Sequence, residues 1–346
     1  MHLHRTPRSI KLGDSRLTIA LIGSDSLLAR EIRDMVAVNS APFDLRLIAA
    51  DGEQAGTLTR VGDEPAIIGG LTAVSLSGAD AVVLAGNAES SLKALELLGD
   101  PPVSSVIDLT YAAEELPGAR LRAPLVEDAA PGGEGIHVIA HPAAIAIALF
   151  LSRLHTARAV RRSVIQIFAP ASEQGAAGIE ELQQQTVSLL SFKSMPKAVF
   201  DSQLGFNVLA RYGEEAPVSL EQTELRIEHH LASLLAKSED GDPVPMPSLR
   251  LTQVPIFHGY GFSAWVEFED APDLDDLEQT LAGGSIEVRG RDLEPPNIVG
   301  QAGQDGISVG AISPDRNHAD AAWFWFVADN LRLAADNAIA VANQLL

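Results

Sequence analysis

The segment of this 346-residue chain that most resembles a catalytic element is the turn within residues 138–148, which reads VIAHPAAIAIA. An apolar run leads into His141 and Pro142, two alanines follow, and a second apolar run begins. A buried strand that passes through a short turn into a helix is the geometry in which many α/β enzymes hold a nucleophile. Here the turn carries Ala143 and Ala144, whose methyl groups cannot attack a substrate. The pattern therefore predicts a nucleophile elbow that lacks its reactive atom.

The chain contains no cysteine. This excludes disulfides, thiolate metal ligands and every covalent mechanism that begins from a thiol. A formal charge of −21 makes the surface repel phosphate backbones and anionic lipid, so we expect neither nucleic acid nor a membrane as a partner. No apolar stretch approaches the roughly 18 residues of a membrane span, and the basic start of the chain lacks a signal-type core. We therefore expect a cytoplasmic protein with a flexible leader at residues 1–16.

Three other groups of polar residues were candidates for chemistry. His229 and His230 are adjacent, so on a helix they point about 100° apart and we expect both to be solvated rather than to bind a metal together. His258 precedes Tyr260 by two residues, and we expect a half-buried strand histidine, with a substitute acid/base as the alternative. The acidic segment 270–279 has no calcium-loop spacing and is typical of a helix cap. The sequence therefore predicts no metal site.

The first strand-to-helix turn reads GSDSLLA at residues 23–29. Such a turn can cradle a pyrophosphate when glycines let its backbone approach the ligand closely. Only Gly23 of a glycine triplet is present, because Ser26 and Ala29 stand at the other two places, and Asp25 adds a negative charge. The pattern favours a plain turn, with a working cofactor cradle as the alternative.

Asp51 follows the second strand-like run and could accept hydrogen bonds from a ribose 2′-hydroxyl, although it could equally be a turn residue. No Arg or Lys nearby invites a 2′-phosphate. If a nucleotide binds, we therefore expect NAD, with NADP less favoured, and no cofactor is certain. The weak cofactor site would consist of Gly23, Ser24, Asp25, Ser26 and Asp51.

These segments lie in a regular alternation of patterns. Apolar runs at residues 16–23, 44–50, 80–86, 104–110 and 135–141 are separated by helical periodicity, which predicts an α/β fold with a parallel sheet covered on both faces. From residue 143 onward, short strands without long intervening helices predict a mixed sheet. We assign residues 17–142 with 320–346 to a Rossmann-like domain and residues 143–319 to a second domain. The terminal helix is expected to dock back on the first domain.

The closing segment, residues 323–343, resembles a specific family signature. Its sequence WFWFVADNLRLAADNAIAVAN is similar to the W-V-V-x-D-N-L-R-K-G-A-A-x-N-A motif of aspartate-semialdehyde dehydrogenases, and DLRLIAADGEQAG, VIDLTYAAEELP and GIEELQQQT resemble other segments of that family. The residues that match the motif are Asp329, Asn330, Leu331, Arg332, Ala334, Ala335, Asn337 and Ala338. The resemblance covers nearly the whole chain and implies an NAD(P)-binding domain, an inserted α/β dimerisation domain and a homodimer.

Enzymes of that family reduce an acyl phosphate to an aldehyde by nucleotide-dependent hydride transfer through a cysteine thioester. A histidine acts as acid/base, and an arginine and a glutamine place the substrate. By residue-for-residue matching, the thiol falls on Ala144, the histidine on Tyr260, the substrate arginine on Gln253 and the glutamine on Ala169. A further arginine, which would meet an anionic group, falls on Glu114, and this charge reversal should repel an acyl phosphate. A tyrosine, with a pKa of about 10, is a poor base at neutral pH.

Two hypotheses follow. The first is a catalytically inactive paralogue of this family, retained as a scaffold, for binding or for regulation, either as a homodimer or with a heteromeric protein partner. The alternative is an NAD-dependent oxidoreductase that acts on an aldehyde or another small substrate without a cysteine thioester.

Overall fold

The computed structural model describes residues 16–38, 42–127, 133–236 and 243–345. The predicted leader at residues 1–16 lies outside these ranges except for Arg16. Within them, no helix is both long enough and apolar enough to cross a lipid bilayer.

The first half of the chain alternates strands and helices, and six of its strands form one sheet. Its elements are β1 (Leu17–Ile22), α1 (Leu27–Val38), β2 (Phe43–Ile48), β3 (Leu58–Val61), β4 (Glu64–Ile67), α2 (Ala73–Leu76), β5 (Ala81–Leu84), α3 (Ala88–Leu98), β6 (Ser105–Asp108), β7 (Ala119–Arg122), β8 (Ile136–Ile139) and α4 (Pro142–Ala157). The order in the sheet is β2-β1-β5-β6-β8-β7, and every pairing is parallel. Strands β3 and β4 form a separate antiparallel pair.

Both faces of this sheet are buried, as the continuous apolar runs predict. Along β1, Ile19 and Leu21 join one hydrophobic cluster, whereas Ala20 and Ile22 join a second cluster on the opposite face. The strand order changes direction at β1, which pairs with β2 on one side and β5 on the other. In open parallel sheets, ligands bind beside the carboxyl ends of the strands at such a point.

The second half of the chain forms a mixed six-stranded sheet with its helices. The elements are β9 (Val160–Ala169), a 3₁₀ turn (Ala171–Gln174), α5 (Gly175–Leu190), α6 (Leu220–Leu235), β10 (Ser248–Gln253), β11 (Tyr260–Phe268), α7 (Leu274–Leu281), β12 (Ile286–Val288), α8 (Ile298–Gln301), β13 (Ile307–Pro314), β14 (Ala321–Ala328) and α9 (Asn330–Asn343). The order is β10-β9-β11-β14-β13-β12, with parallel pairs at both edges and antiparallel pairs between them. The predicted fold class, a parallel sheet plus a mixed sheet, is confirmed.

The chain crosses between the two units twice. Helix α4 begins at the first sheet, and its residues from Ala143 to Ala148 are fully buried within a hydrophobic cluster that draws on both units. Strand β14 lies inside the second sheet, between β11 and β13. The predicted domain boundary at residue 320 therefore falls before this strand, whereas the chain leaves the second sheet only after Ala328. Helix α9 then packs on α1, and Arg332 Nη1 lies 3.1 Å from Glu31 Oε1.

Candidate functional site

The turn between β1 and α1 is closely packed and internally bonded. Gly23 has a left-handed φ of 81°, and a Cβ built on it would lie 2.1 Å from the Cα of Gly86, so only glycine fits. The Ser24 side chain is fully buried; its hydroxyl donates to Leu21 O at 2.7 Å and accepts the Ile48 N–H at 2.7 Å. The predicted cofactor residue Ser24 therefore ties β1 to β2.

Ser26 and Asp25 are also committed to protein partners. The Ser26 hydroxyl donates to Ala85 O at 2.7 Å and accepts the Ala29 N–H at 3.1 Å, which makes it the N-terminal cap of α1. The Asp25 carboxylate lies 2.7 Å from Arg30 Nη2, so the negative charge expected from the sequence is paired.

The backbone N–H of Asp25 donates to Glu53 Oε1 at 3.0 Å, so an acidic side chain lies at the mouth of the turn. Asp51, the predicted ribose acceptor, is exposed; its N–H donates to Ser90 Oγ at 2.6 Å, and Asn87 Nδ2 donates to its carbonyl at 3.0 Å. The Asp51 carboxylate accepts the Ser90 hydroxyl at 3.3 Å. With a bonded Asp25 amide and an acidic side chain at its mouth, this turn does not fit a dinucleotide phosphate.

The predicted elbow joins β8 to α4. His141 caps α4 by accepting the Ala143 N–H on Nδ1 at 3.2 Å, and Pro142 stands at the first helical position, where a missing N–H costs nothing. Ala144 is fully buried in the first turn of the helix. The imidazole of His141 is the only polar side chain in the turn and is itself buried.

A carboxylate joins this histidine to Tyr260. His141 Nε2 lies 3.0 Å from Glu173 Oε1, and the Tyr260 hydroxyl donates to Glu173 Oε2. Burial raises the pKa of Tyr260 well above its ordinary value, and the nearby Glu173 charge raises it further. Burial alone would raise the pKa of Glu173, but His141, Tyr260 and then Arg226 hold it below its ordinary value. Tyr260 is therefore a hydrogen-bond donor and not a base.

A second carboxylate continues the network into the other unit. His230 Nε2 lies 2.8 Å from Glu114 Oε1, Arg226 Nε donates to Glu114 Oε2 at 3.1 Å, and His230 Nδ1 accepts the His141 N–H at 2.9 Å. The Arg226 guanidinium also lies 4.8 Å above the ring of Tyr111, which has a left-handed φ of 63°. We call the seven residues Tyr111, Glu114, His141, Glu173, Arg226, His230 and Tyr260 the interdomain cluster.

This cluster corrects two expectations from the sequence. His230 is buried, with 1% of its side chain exposed, whereas only His229 is exposed. Burial lowers the pKa of His230 to about 4, against the opposing effect of the hydrogen bond that its Nε2 donates to Glu114. Glu114 does not present an unpaired charge, because it is bonded to His230 and Arg226, which lower its pKa although burial alone would raise it. The predicted repulsion of an anion is therefore largely offset within the protein.

The remaining predicted positions lie beside the cluster. Gln253 is fully buried; its Oε1 accepts the Tyr212 hydroxyl at 2.7 Å, and its Nε2 donates to the carbonyl of Ala169 at 2.9 Å. Ala169 is the last residue of β9 and is likewise buried. These two positions are therefore joined to each other and use their polar atoms internally.

His258 lies in the bend before β11 and not on a strand, so the alternation argument that aligned it with Tyr260 is wrong. In the acidic segment, Asp273 caps α7 by accepting the N–H groups of Asp275 and Asp276, as predicted. Among the described residues, no group of three or more His, Asp or Glu side chains could hold a metal ion.

Sequence reasoning missed Glu53, Glu173, Arg226 and Tyr111 and misplaced His230. The available signal was positional, since Tyr111 and Glu114 follow β6 and His141 follows β8, and these neighbouring parallel strands end at one edge of the first sheet. Glu173 follows β9 of the second sheet, so this signal does not extend to it.

Residues 151–333 match the family model described as semialdehyde dehydrogenase, dimerisation domain. The chain is 25% identical over 341 residues to an aspartate-semialdehyde dehydrogenase of Rickettsia bellii (strain RML369-C), across 96% of this chain and 98% of that protein. It is also 25% identical over 335 residues to a USG-1 protein homolog of Pseudomonas aeruginosa, across 95% and 98% of the two chains. The solved structure of a probable aspartate-semialdehyde dehydrogenase from Pseudomonas aeruginosa superposes with a TM-score of 0.81 at 24% identity, over 96% of this chain and 98% of that chain.

Proposed function

The chain belongs to the semialdehyde dehydrogenase family, and we propose that it is a catalytically inactive member that serves as a dimeric scaffold, for binding or for regulation. One observation carries this proposal: Ala144 occupies the first turn of α4 beyond the elbow, and the sequence holds no cysteine that could replace it. A methyl group forms no thioester, and removal of a covalent nucleophile forfeits most of the chemical rate.

The interdomain cluster supports the same proposal. Glu114 is bonded to Arg226 and His230, and Glu173 is bonded to His141 and Tyr260. A substrate carboxylate or phosphate would have to displace Glu114 or Glu173 from these partners, and the displaced carboxylate, which is largely buried, would be left unpaired. The cluster therefore supports a structural role that links the two units of the fold.

The partner that we propose is a second copy of the chain, because the matched family model is a dimerisation domain. A heteromeric partner is the second possibility within the same proposal, and the cytoplasmic location stays a prediction from the sequence. Sedimentation as a monomer at micromolar concentration would contradict the homodimer.

The test of inactivity is a turnover assay. Purified protein is mixed with aspartate semialdehyde, phosphate and NADP⁺, then NAD⁺, and NADPH or NADH is followed by absorbance. We expect no rate above that of a heat-treated sample. A rate that disappears in His141→Gln but persists in the exposed control Glu180→Gln would belong to this chain and would overturn the proposal, in favour of an oxidoreductase that works without a thioester. A rate unchanged in His141→Gln and removed by further purification would come from a host enzyme and would leave the expected result in place.

A further inference from the structure

The β1–α1 turn holds an anion that belongs to the protein itself. The Glu53 carboxylate bridges two backbone donors, with Oε1 accepting the Asp25 N–H at 3.0 Å and Oε2 accepting the Ala50 N–H at 3.0 Å. One donor lies just before α1 and the other just after β2. A carboxylate that accepts hydrogen bonds from two backbone amides beside the start of a helix makes the same interactions as two oxygens of a phosphate bound at that place.

The rest of the turn offers few unbonded amides. The N–H groups of Gly23 and Ser24 donate to Ile48 O at 2.9 and 3.2 Å, and the Ser26 N–H donates to Gly23 O at 2.9 Å. With Asp25 bonded to Glu53, four consecutive amides from Gly23 to Ser26 have protein acceptors. A nucleotide phosphate would therefore have to displace Glu53 before it could use the Asp25 amide.

The segment that carries Glu53 is anchored on both sides. The Ala49 N–H donates to Gly69 O at 2.9 Å, and the Glu53 N–H donates to Ala50 O at 3.0 Å. On the α3 side, Asp51 is held by Ser90 and Asn87. These hydrogen bonds hold the loop in place, so that the Glu53 side chain reaches the β1–α1 turn.

We propose that Glu53 is a built-in anion that occupies the phosphate position of the β1–α1 turn and excludes a dinucleotide from it. The ligand class that it displaces is the pyrophosphate of NAD or a related nucleoside diphosphate. This inference deepens the proposed function, because it gives a reason for poor nucleotide binding that is independent of the missing thiol. A phosphate placed there would meet the negative charge of Glu53 within hydrogen-bond distance of the same donors.

The test measures nucleotide binding, not turnover, so its outcome is separate from the assay of inactivity. The variants are Glu53→Ala, Glu53→Gln and, as a control, Glu96→Gln, which alters an exposed carboxylate on α3 of the same unit. Titration calorimetry and thermal shift are run with NAD⁺, NADP⁺ and ADP up to millimolar concentration. We expect the wild type and Glu96→Gln to show no binding up to millimolar NAD⁺, and Glu53→Ala to bind NAD⁺ with a Kd at least about tenfold below that millimolar limit. Glu53→Gln should lie between them, because it removes the charge and keeps an acceptor.

Two results would overturn the proposal. One is Glu53→Ala that is folded by circular dichroism and binds nucleotide no better than the wild type. The other is wild type that binds NAD⁺ and loses it in Glu53→Ala, which would make Glu53 a ribose ligand. If Glu53→Ala does not fold, Glu53→Gln decides in the same way. Hydrogen exchange adds an independent measure, since the Asp25 and Ala50 amides should exchange faster in Glu53→Ala than in Glu96→Gln.

Discussion

Glu53 and Glu173 each place a carboxylate at a carboxyl edge of a sheet, yet their surroundings differ. Glu53 is half-buried and accepts only backbone amides from its own unit. Glu173 is 15% exposed in its side chain and bonds to two buried side chains, His141 and Tyr260, that come from different elements. The first contact can open without disturbing the core, whereas the second cannot. One region is therefore closed by a single carboxylate on backbone amides, Glu53, which we call the local cap. The other region is closed by a network of buried side chains around Glu173.

The comparison predicts its largest effect at Glu173. Glu173→Ala should lower the free energy of unfolding by about 3 to 5 kcal/mol, because it leaves a buried imidazole and a buried hydroxyl without their shared acceptor. Urea denaturation followed by circular dichroism measures this loss. The matched control is Glu180→Gln, an exposed carboxylate of α5, which should change the free energy by under about 0.5 kcal/mol. Equal effects of the two substitutions would show that the cluster contributes nothing to stability.

The second prediction is a dependence of stability on pH. The folded-state pKa of His230 is about 4, below its ordinary value of 6.5, so between these values the unfolded chain binds more protons. The stabilisation from the neutral imidazole is present above pH 6.5 and is lost as the pH falls from 6.5 to 4, by up to about 3 kcal/mol. Glu173 and Glu114 act in the same direction, because their lowered pKa values give stability that is lost as the pH falls through the folded values.

The neighbouring histidine is the control for this pH dependence. His230→Gln should flatten the fall in the urea midpoint between pH 7 and pH 5. His229→Gln should change it much less, because the exposed His229 lies 3.9 Å from Glu114 Oε1 and such an exposed ion pair contributes little. A remaining slope is expected from His137, whose pKa is also lowered by burial. If His230→Gln keeps the full wild-type slope, the buried neutral imidazole is not its source.

The contrast between the two regions also explains what the sequence could predict. Strands β1 and β5 are largely apolar runs buried on both faces, so their residue types alone indicate a parallel sheet. Edge strand β7, with sequence ARLR, and the exposed β3–β4 pair carry no such run and were missed.

For the site, residue types revealed the missing thiol but not the hydrogen-bonded pairs of the interdomain cluster. Ala144 and the lack of cysteine need no structure. The bonds His141–Glu173 and Glu114–His230 join positions 32 and 116 residues apart, and local periodicity carries no information about such pairs. His230 was misplaced for this reason: adjacency to His229 describes where the side chains leave the helix, but burial depends on what packs against each face.

The third prediction separates a charged acceptor from a neutral one. Tyr260→Phe removes a hydroxyl that donates to a carboxylate and should lower the free energy of unfolding by about 2 kcal/mol. Tyr212→Phe removes a buried hydroxyl that donates to the amide oxygen of Gln253 and should cost about 1 kcal/mol. Urea denaturation of both variants at pH 7 checks the difference. The reverse order would indicate that Glu173 is not charged when it accepts from Tyr260.

The smallest effect is expected at the local cap. Glu53→Ala should lower the free energy of unfolding by only about 1 kcal/mol at pH 7, because the carboxylate is half-buried and water can replace it at the two backbone amides. Urea denaturation beside Glu173→Ala measures the ratio of the two effects, which should be about threefold or more. Added salt should reduce the Glu53 effect further while leaving the Glu173 effect nearly unchanged, since screening reaches exposed charges first. A loss of unfolding free energy in Glu53→Ala as large as that in Glu173→Ala, and equally insensitive to salt, would contradict this prediction. Glu53 would then be part of the buried core and not a local contact.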